Sequence, residues 1–455
     1  MLINQINKIT ENSVPFLLAA LFFALPISSS GKSIFLSLAL FAIILSPIYR
    51  QKLRHLFTEW WFKAMMLLII LIIVACFWSV ATLREQLFAL QKYAKLLCLP
   101  ILVVAFKDYQ VRRLCLHAFL LGMLLIAIIT SLHSLVNLSI FINIPPDQLF
   151  RNHIMIGIMM SFATYIALLL FLQQQNPPPP TKFYASLSAC VTSVMLYVSA
   201  LSFRALAHLV ANMRLLYLAM ALLFSYQVLW INTGRTGYFA YIILMILLLF
   251  QRLFLKRAII CTVVFITIFT GLYFINRPMH EGIQHAFIEW RYYQQDKNTN
   301  IGFRLQFHNY AKQLFSKHPL LGCGTAGFTA SFRQDRPVPG WPRELLLEPH
   351  SQYWLIATEY GILGLSCFIF FIGSLITACW RLGFSRPIAI ALLLVFSIGN
   401  LSDSLLYYSG SGYFFIIFMA FCLSESQKQL PIFSTKNKQK YGLIEMPNEF
   451  NCSRN

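Results

Sequence analysis

Apolar residues in this chain run in blocks of about 15 to 22 separated by short polar stretches, and a block of that length crosses a hydrocarbon core of roughly 30 Å as a helix. Twelve such blocks read as spanning helices: 14–29, 32–48, 63–80, 91–106, 115–135, 153–172, 215–232, 237–250, 258–275, 351–379, 387–402 and 411–424. A thirteenth block, 184–202, is diluted by Ser and Thr and is entered through the polyproline run Pro177 to Pro180, whose stiff extended form cannot continue a helix. The longest polar stretch is 276–349. Within it EGIQHAFIEWRYYQQ and RLQFHNYAKQLFS repeat apolar residues at steps of three and four, which predicts an ordered, partly helical cap.

Composition agrees. Hydrophobic residues make up 58% of the 455 positions and charged residues 11%, which excludes an ordinary soluble domain and predicts an all-α polytopic membrane protein. The net charge of +20 would suggest nucleic acid in a soluble chain. Here the basic residues lie in short loops, where they act as topology signals and contact membrane lipids rather than nucleic acid.

Those loops arbitrate orientation. The clusters at Arg50, Lys52 and Arg54; Lys107, Arg112 and Arg113; Lys182, Arg204 and Arg214; Arg252, Lys256 and Arg257; Arg381 and Arg386; and the tail STKNKQK share one face only if 184–202 does not cross. The positive-inside rule makes that face cytoplasmic. The resulting organisation is an N-terminal bundle over 1–275 with about nine spans and the non-spanning segment 184–202, an outward loop over 276–349, three spans over 350–424, and a basic cytoplasmic tail over 425–455. The first apolar run is followed by no small-residue cleavage site, so it reads as a retained helix.

Within the spanning blocks the carboxylates are Glu359 and Asp403, which gives no intramembrane acid pair for a proton relay. No DxD or HExxH pattern is present and no CxxC pair, so the expected chemistry needs neither a metal nor another cofactor. Two outward positions stand out. Arg235 lies in WINTGRTGYFAY between two helices, on a face where positive charge is otherwise scarce. Asn232, Thr233, Gly234, Thr236 and Gly237 surround it with donors and small residues that suit a phosphate. His350 starts the span in PHSQYWLIATEYGILGL, where an imidazole titrating near neutrality suits a general base; most lone histidines at helix ends are structural.

GRTGYFAY, HPLLGCGTAGF and HSQYWLIATEYGILG, with its His-Ser-x9-Gly-x-x-Gly spacing from His350 to Gly361 and Gly364, together resemble the bacterial O-antigen ligase family. Their order and spacing over about 230–365 carry the resemblance. It implies a GT-C-like glycosyltransferase of about 12 transmembrane helices in the bacterial inner membrane, with a large, partly helical periplasmic loop. The implied reaction, a step of lipopolysaccharide biosynthesis, moves a polysaccharide from undecaprenyl diphosphate to a sugar of the lipid A-core. Carried over, His350 matches the family's essential His, Arg235 its first essential Arg and Arg304 its loop Arg, with Glu359 at the acid position before Gly-x-x-Gly. The Arg-x-x-x-Leu pattern is met at Arg235 with Phe239 in place of Leu. Metal-independent inverting transfer would need preorganised cations for the leaving diphosphate, for which Arg235 and Arg304 are the candidates, and His350 to accept the proton of the acceptor hydroxyl.

Supporting positions are weaker. Arg291 and Gly302 have the Arg-x10-Gly spacing noted in polymerases, although a surface Arg on an amphipathic helix is the plainer reading. His308, one helical turn from Arg304, either lines the same face or caps the hydrophobic one. His318, Gly322, Gly324 and Gly327 read as structural. The competing functions are an O-antigen polymerase using the same donor and, from another class, a transporter or flippase, whose paired broken helices and repeated halves are not found here.

Overall fold

A computed structural model describes residues 2–106, 108–136, 141, 144–173, 213–341 and 346–426, with side chains from residue 13 onward except at 173 and 426. Segment 184–202, Lys182, Arg204 and nearly all of the tail lie outside the described residues. Among the described residues the regular structure is all helical. In chain order the helices are α1 (Leu2–Ile27), α2 (Ser29–Leu45), α3 (Pro47–Leu53), α4 (Trp60–Val74), α5 (Leu83–Ala94), α6 (Cys98–Val103), α7 (Tyr109–Val136), α8 (His153–Gln173), α9 (Met213–Tyr226), α10 (Arg235–Arg252), α11 (Leu255–Ile275), α12 (Arg277–Arg291), α13 (Asn300–Lys317), α14 (Gly327–Asp335), α15 (Gln352–Cys379), α16 (Arg386–Ser402) and α17 (Ser409–Leu423).

Among the described residues eight helical stretches are long and apolar enough to cross a membrane: 60–78, 83–103, 109–136, 153–172, 213–231, 235–252, 255–275 and 352–379. The other predicted blocks are helical but do not each meet that length. Residues 29–45 and 47–58 bend by 87° at Ser46 and Pro47, and 13–27, 386–402 and 409–423 are shorter apolar helices.

Packing follows from composition. In α17 every residue from Phe414 to Leu423 is buried, as a helix apolar on all sides must be. Its Phe414, Phe418 and Phe421 interlock with Phe22, Phe106, Phe119 and Phe162 from α1, the α6–α7 turn, α7 and α8. Close crossings use glycine: a Cβ on Gly157 of α8 would stand 2.8 Å from Gly237 Cα of α10. At the other extreme α11 buries only Ala258 and lies at the periphery.

The stretch after α11 is ordered, as its periodicity predicts. α12, α13 and α14 occupy most of 276–341, and α13 packs on α15. Its attachment explains the motif HPLLGCG. Helix α15 breaks at Gly361, whose φ of 63° and ψ of −159° leave helical space. The groups freed by the break pair with the loop: Ile362 N donates to Pro319 O at 2.8 Å, while Cys323 N and Gly324 N donate to Thr358 O and Glu359 O at 2.9 Å. That approach is possible because Gly322 has no side chain; a Cβ there would lie 2.4 Å from Glu359 C. Ser79 Oγ donating to Thr325 O at 2.6 Å ties the same loop to the end of the 60–78 stretch.

Candidate active site

His350 sits at the head of α15 in a left-handed conformation, φ 54°, which costs a non-glycine residue roughly 1–2 kcal/mol. Two contacts hold it there. Its backbone N–H donates to Glu348 Oε2 at 2.7 Å, and its carbonyl accepts from His308 Nε2 at 3.2 Å. Ser351 caps α15 by accepting from Trp354 N, so the Ser of the His-Ser pair is a helix-start residue.

The imidazole stacks on Phe307, with centroids 5.9 Å apart and planes at 23°. Its Nδ1 lies 3.2 Å from Glu348 Oε1 and 3.4 Å from Asp403 Oδ1. Neither oxygen lies along a hydrogen-bond direction from Nδ1, so these are electrostatic contacts. The imidazole is 23% exposed, against 2% for the Glu348 side chain. One face of the ring is therefore covered by Phe307, its Nδ1 edge is set against two acids, and part of the ring stays exposed.

Glu348 is in turn held by Tyr408 OH at 2.7 Å and by a short contact from Ser404 Oγ. Burial first, then the neighbouring Asp403 charge, pushes its carboxyl above the ordinary carboxylate range, and His350 opposes that shift. Burial and the adjacent Glu348 push the Tyr408 phenol upward, which keeps it a proton donor. His308 is shifted the other way, chiefly by burial, so it stays neutral. The turn carrying Asp403, Ser404 and Tyr408 is fixed by Lys95, 3% exposed, whose Nζ donates to Leu406 O, Tyr407 O and Tyr408 O at 2.7–2.8 Å. Gln352 grips the same turn by accepting from Tyr407 N at 3.0 Å.

Of the residues singled out in the sequence, the structure brings His350, His308 and Arg304 together. Arg304, half-buried on α13, lies within electrostatic reach of His308 and Tyr408 and makes no hydrogen bond or ion pair among the described residues. Arg235 begins α10 and likewise has no such partner. Its expected donors are otherwise engaged: Asn232 Nδ2 donates to His153 O at 2.9 Å, Thr233 bonds Asp147 through both N and Oγ1, and Gly237 serves the α8–α10 crossing. Arg291 ends α12 on the exposed surface. Glu359 lies nine residues beyond His350 along α15, about 13 Å by helical rise. Its buried carboxyl faces the amides of Ala326 and Phe328 at the start of α14, a capping position away from the imidazole.

Two features of the fold bear on these expectations. The chain has no metal motif, yet folding gathers Glu348, His350 and Asp403 so that one donor atom of each lies within 4.8 Å of the others, a set able to hold a cation. Positive charge is not scarce around this end of the bundle either, because Lys32, Lys92, Lys95 and Arg151 lie near the same 406–413 segment as Tyr408. Glu348, Asp403 and Tyr408 carry no site role in the sequence reading. The available signals were an acid two residues before the His, and an Asp ending an apolar block.

Residues 218–369, 152 of the chain's 455, match the family model described as O-antigen ligase. This stretch is similar to the O-antigen ligase family. The ligase region runs from α9 to just past the break in α15 and contains Arg235, Arg304, Glu348 and His350, whereas Asp403, Tyr408 and Lys95 fall outside it. The matched stretch is similar to O-antigen ligases, and the apolar helices are those of a multi-pass membrane protein. A comparison with curated proteins finds no match.

Proposed function

We propose that the protein is an O-antigen ligase, transferring polysaccharide from undecaprenyl diphosphate to a lipid A-core sugar at the periplasmic face of the bacterial inner membrane. The observation that carries this reading is the half-open imidazole of His350, held in a left-handed conformation inside the family-matched stretch and backed by two carboxylates. The acceptor hydroxyl gives its proton to His350 as its oxygen attacks the anomeric carbon, and the sugar–phosphate bond breaks from the opposite side with inversion. Glu348 and Asp403 stabilise the imidazolium that forms. Arg304 and Arg235, which have no acidic partner among the described residues, meet the negative charge left on the diphosphate. The segment from α12 to α14 covers the site and limits hydrolysis of the donor.

The acid–His cluster favours one specific rival chemistry, in which Glu348, His350 and Asp403 hold a divalent cation. Purified protein supplied with lipid-linked donor and lipid A-core separates the two. Transfer that persists in excess EDTA supports the base. Transfer abolished by EDTA and restored by magnesium or manganese assigns the cluster to a metal. Elongation of the lipid-linked glycan without transfer to lipid A-core makes the protein a polymerase.

A further inference from the structure

A second group of cations lies on the other side of the turn that holds Glu348. Lys32, in the first turn of α2, is 2% exposed; its Nζ donates to Ser409 Oγ at 3.4 Å and stands 4.2 Å from the centre of the Tyr413 ring. Lys95 lies 5.8 Å from the same ring, so two ammonium groups share one aromatic. Arg151, just before α8, donates to Leu25 O at 2.7 Å and to Ser29 Oγ, one turn before Lys32, and its Nε is buried with no partner. Lys32 and Arg151 are close enough to repel each other, as are Lys32 and Lys95. Among the described residues no carboxylate is within ion-pair distance of any of the three.

Buried like charges without a counter-ion are costly, and nearby acids normally relieve them. Lys95 is accounted for, since its three donors meet three carbonyls. Lys32 and Arg151 are not: one has a single long hydrogen bond, the other a buried donor left over. An anion facing two cations that lack a counter-ion, beside a third fixed one, needs several acceptor oxygens and more than one negative charge. Carboxylates have too few of both; phosphate esters and diphosphates have enough.

We propose that Lys32 and Arg151 form a binding site for a phosphate-bearing headgroup, between the α1–α2 corner, the start of α8 and the start of α17. Lys95 supplies fixed positive charge behind it. Assigning that headgroup to the lipid-linked glycan donor rests on the ligase reading; the anion site itself does not. Through Ser409 and Tyr408 the site adjoins the turn that braces His350.

The test uses the full chain in phosphatidylcholine nanodiscs, titrated with inorganic pyrophosphate, with farnesyl diphosphate and, separately, with increasing phosphatidylglycerol content. Lys32→Met and Arg151→Met should each weaken binding by roughly tenfold or more, as expected for loss of a hydrogen bond to a charged group. Lys32→Arg and the exposed, remote Arg277→Gln should stay close to wild type. Binding of pyrophosphate and farnesyl diphosphate in mutual competition identifies a diphosphate; saturation by phosphatidylglycerol alone identifies a phospholipid headgroup, and either supports the site. If the Met variants do not fold, a photoreactive farnesyl diphosphate on wild-type protein decides. Pyrophosphate-competed labelling of 25–36, 147–155 or 405–413 supports the site, and labelling only elsewhere overturns it. Wild-type affinity in folded Met variants, or no binding of any probe to wild type, also overturns it. Binding that persists in protein incapable of glycan transfer would remove the ligase reading and leave the site standing.

Discussion

At the scale of single residues, His350, Arg235 and Arg304 should divide the work in a way that kinetics can separate. His350→Ala removes the base but not the contacts to the diphosphate, so donor affinity should hold while turnover falls by roughly 10²- to 10⁴-fold. Arg304→Lys and Arg235→Lys keep the charge and lose the fork, so both should weaken donor binding. Loss of donor binding in His350→Ala, or an unaltered Arg304→Lys enzyme, would reverse the assignment. Glu348 adds a pH dependence with a definite sign. Its carboxyl is raised from its ordinary value of 4.5, mainly by burial, so the folded protein holds that proton more tightly than the unfolded chain. The stability this confers is full below pH 4.5 and declines as pH rises through the raised value. Glu348→Gln should abolish that part of the decline when Tm is followed against pH. It should also lower turnover, because an amide cannot stabilise the imidazolium; equal slopes in both proteins would show that Glu348 does not titrate there.

Elements show how much of this was legible in the sequence. Each apolar block among the described residues folds as helix, because a long apolar run has one way to satisfy its backbone in a bilayer. The periodicity of RLQFHNYAKQLFS correctly marked α13, which carries Arg304, Phe307 and His308 to His350. What stayed hidden depends on contacts between distant segments. Asp403 and Glu348 are 55 positions apart and meet only because α15 and α16 pack side by side. The glycines of HPLLGCG looked like turn residues, yet Gly322 is needed where the loop backbone meets the broken α15. Gly322→Ala would place a Cβ 2.4 Å from Glu359 C in a backbone with φ 68°, so the pairing that relieves the break would have to separate. The expected loss of stability is on the order of 1–3 kcal/mol or more. Gly271→Ala, with nothing within 4 Å of the added methyl, should be close to neutral. Similar unfolding temperatures for the two variants would show that the loop-to-helix pairing contributes little.

For the whole molecule, the helix ends bearing Lys32, Lys95, Arg151, Glu348, His350 and Tyr408 converge, and Arg333 of α14 reaches Glu85 Oε1 and Oε2 at the head of α5 at 2.5 and 3.3 Å. One end of the bundle therefore holds all the candidate chemistry. The ends marked by Arg50, Arg252 and Arg381 carry the clusters that the positive-inside rule assigns to the cytoplasm. Active-site and basic-loop ends must then face opposite sides of the membrane, and this can be read in intact cells. A cysteine replacing Gln334, one residue from Arg333 on α14, should react with a membrane-impermeant maleimide, while one replacing Gln51 should react only after permeabilisation. Native cysteines set the background: all those in the described residues are free thiols, and Cys323 near the active end is buried, with burial pushing its thiol up to about 12, so it should react slowly. The segment 184–202 is placed by the same experiment. Protection of a cysteine at Arg204 in intact cells agrees with a segment that does not cross, because Met213 then begins α9 from the cytoplasmic side and Arg235 emerges at the active end. Labelling at Arg204 from outside would overturn the non-spanning assignment of 184–202.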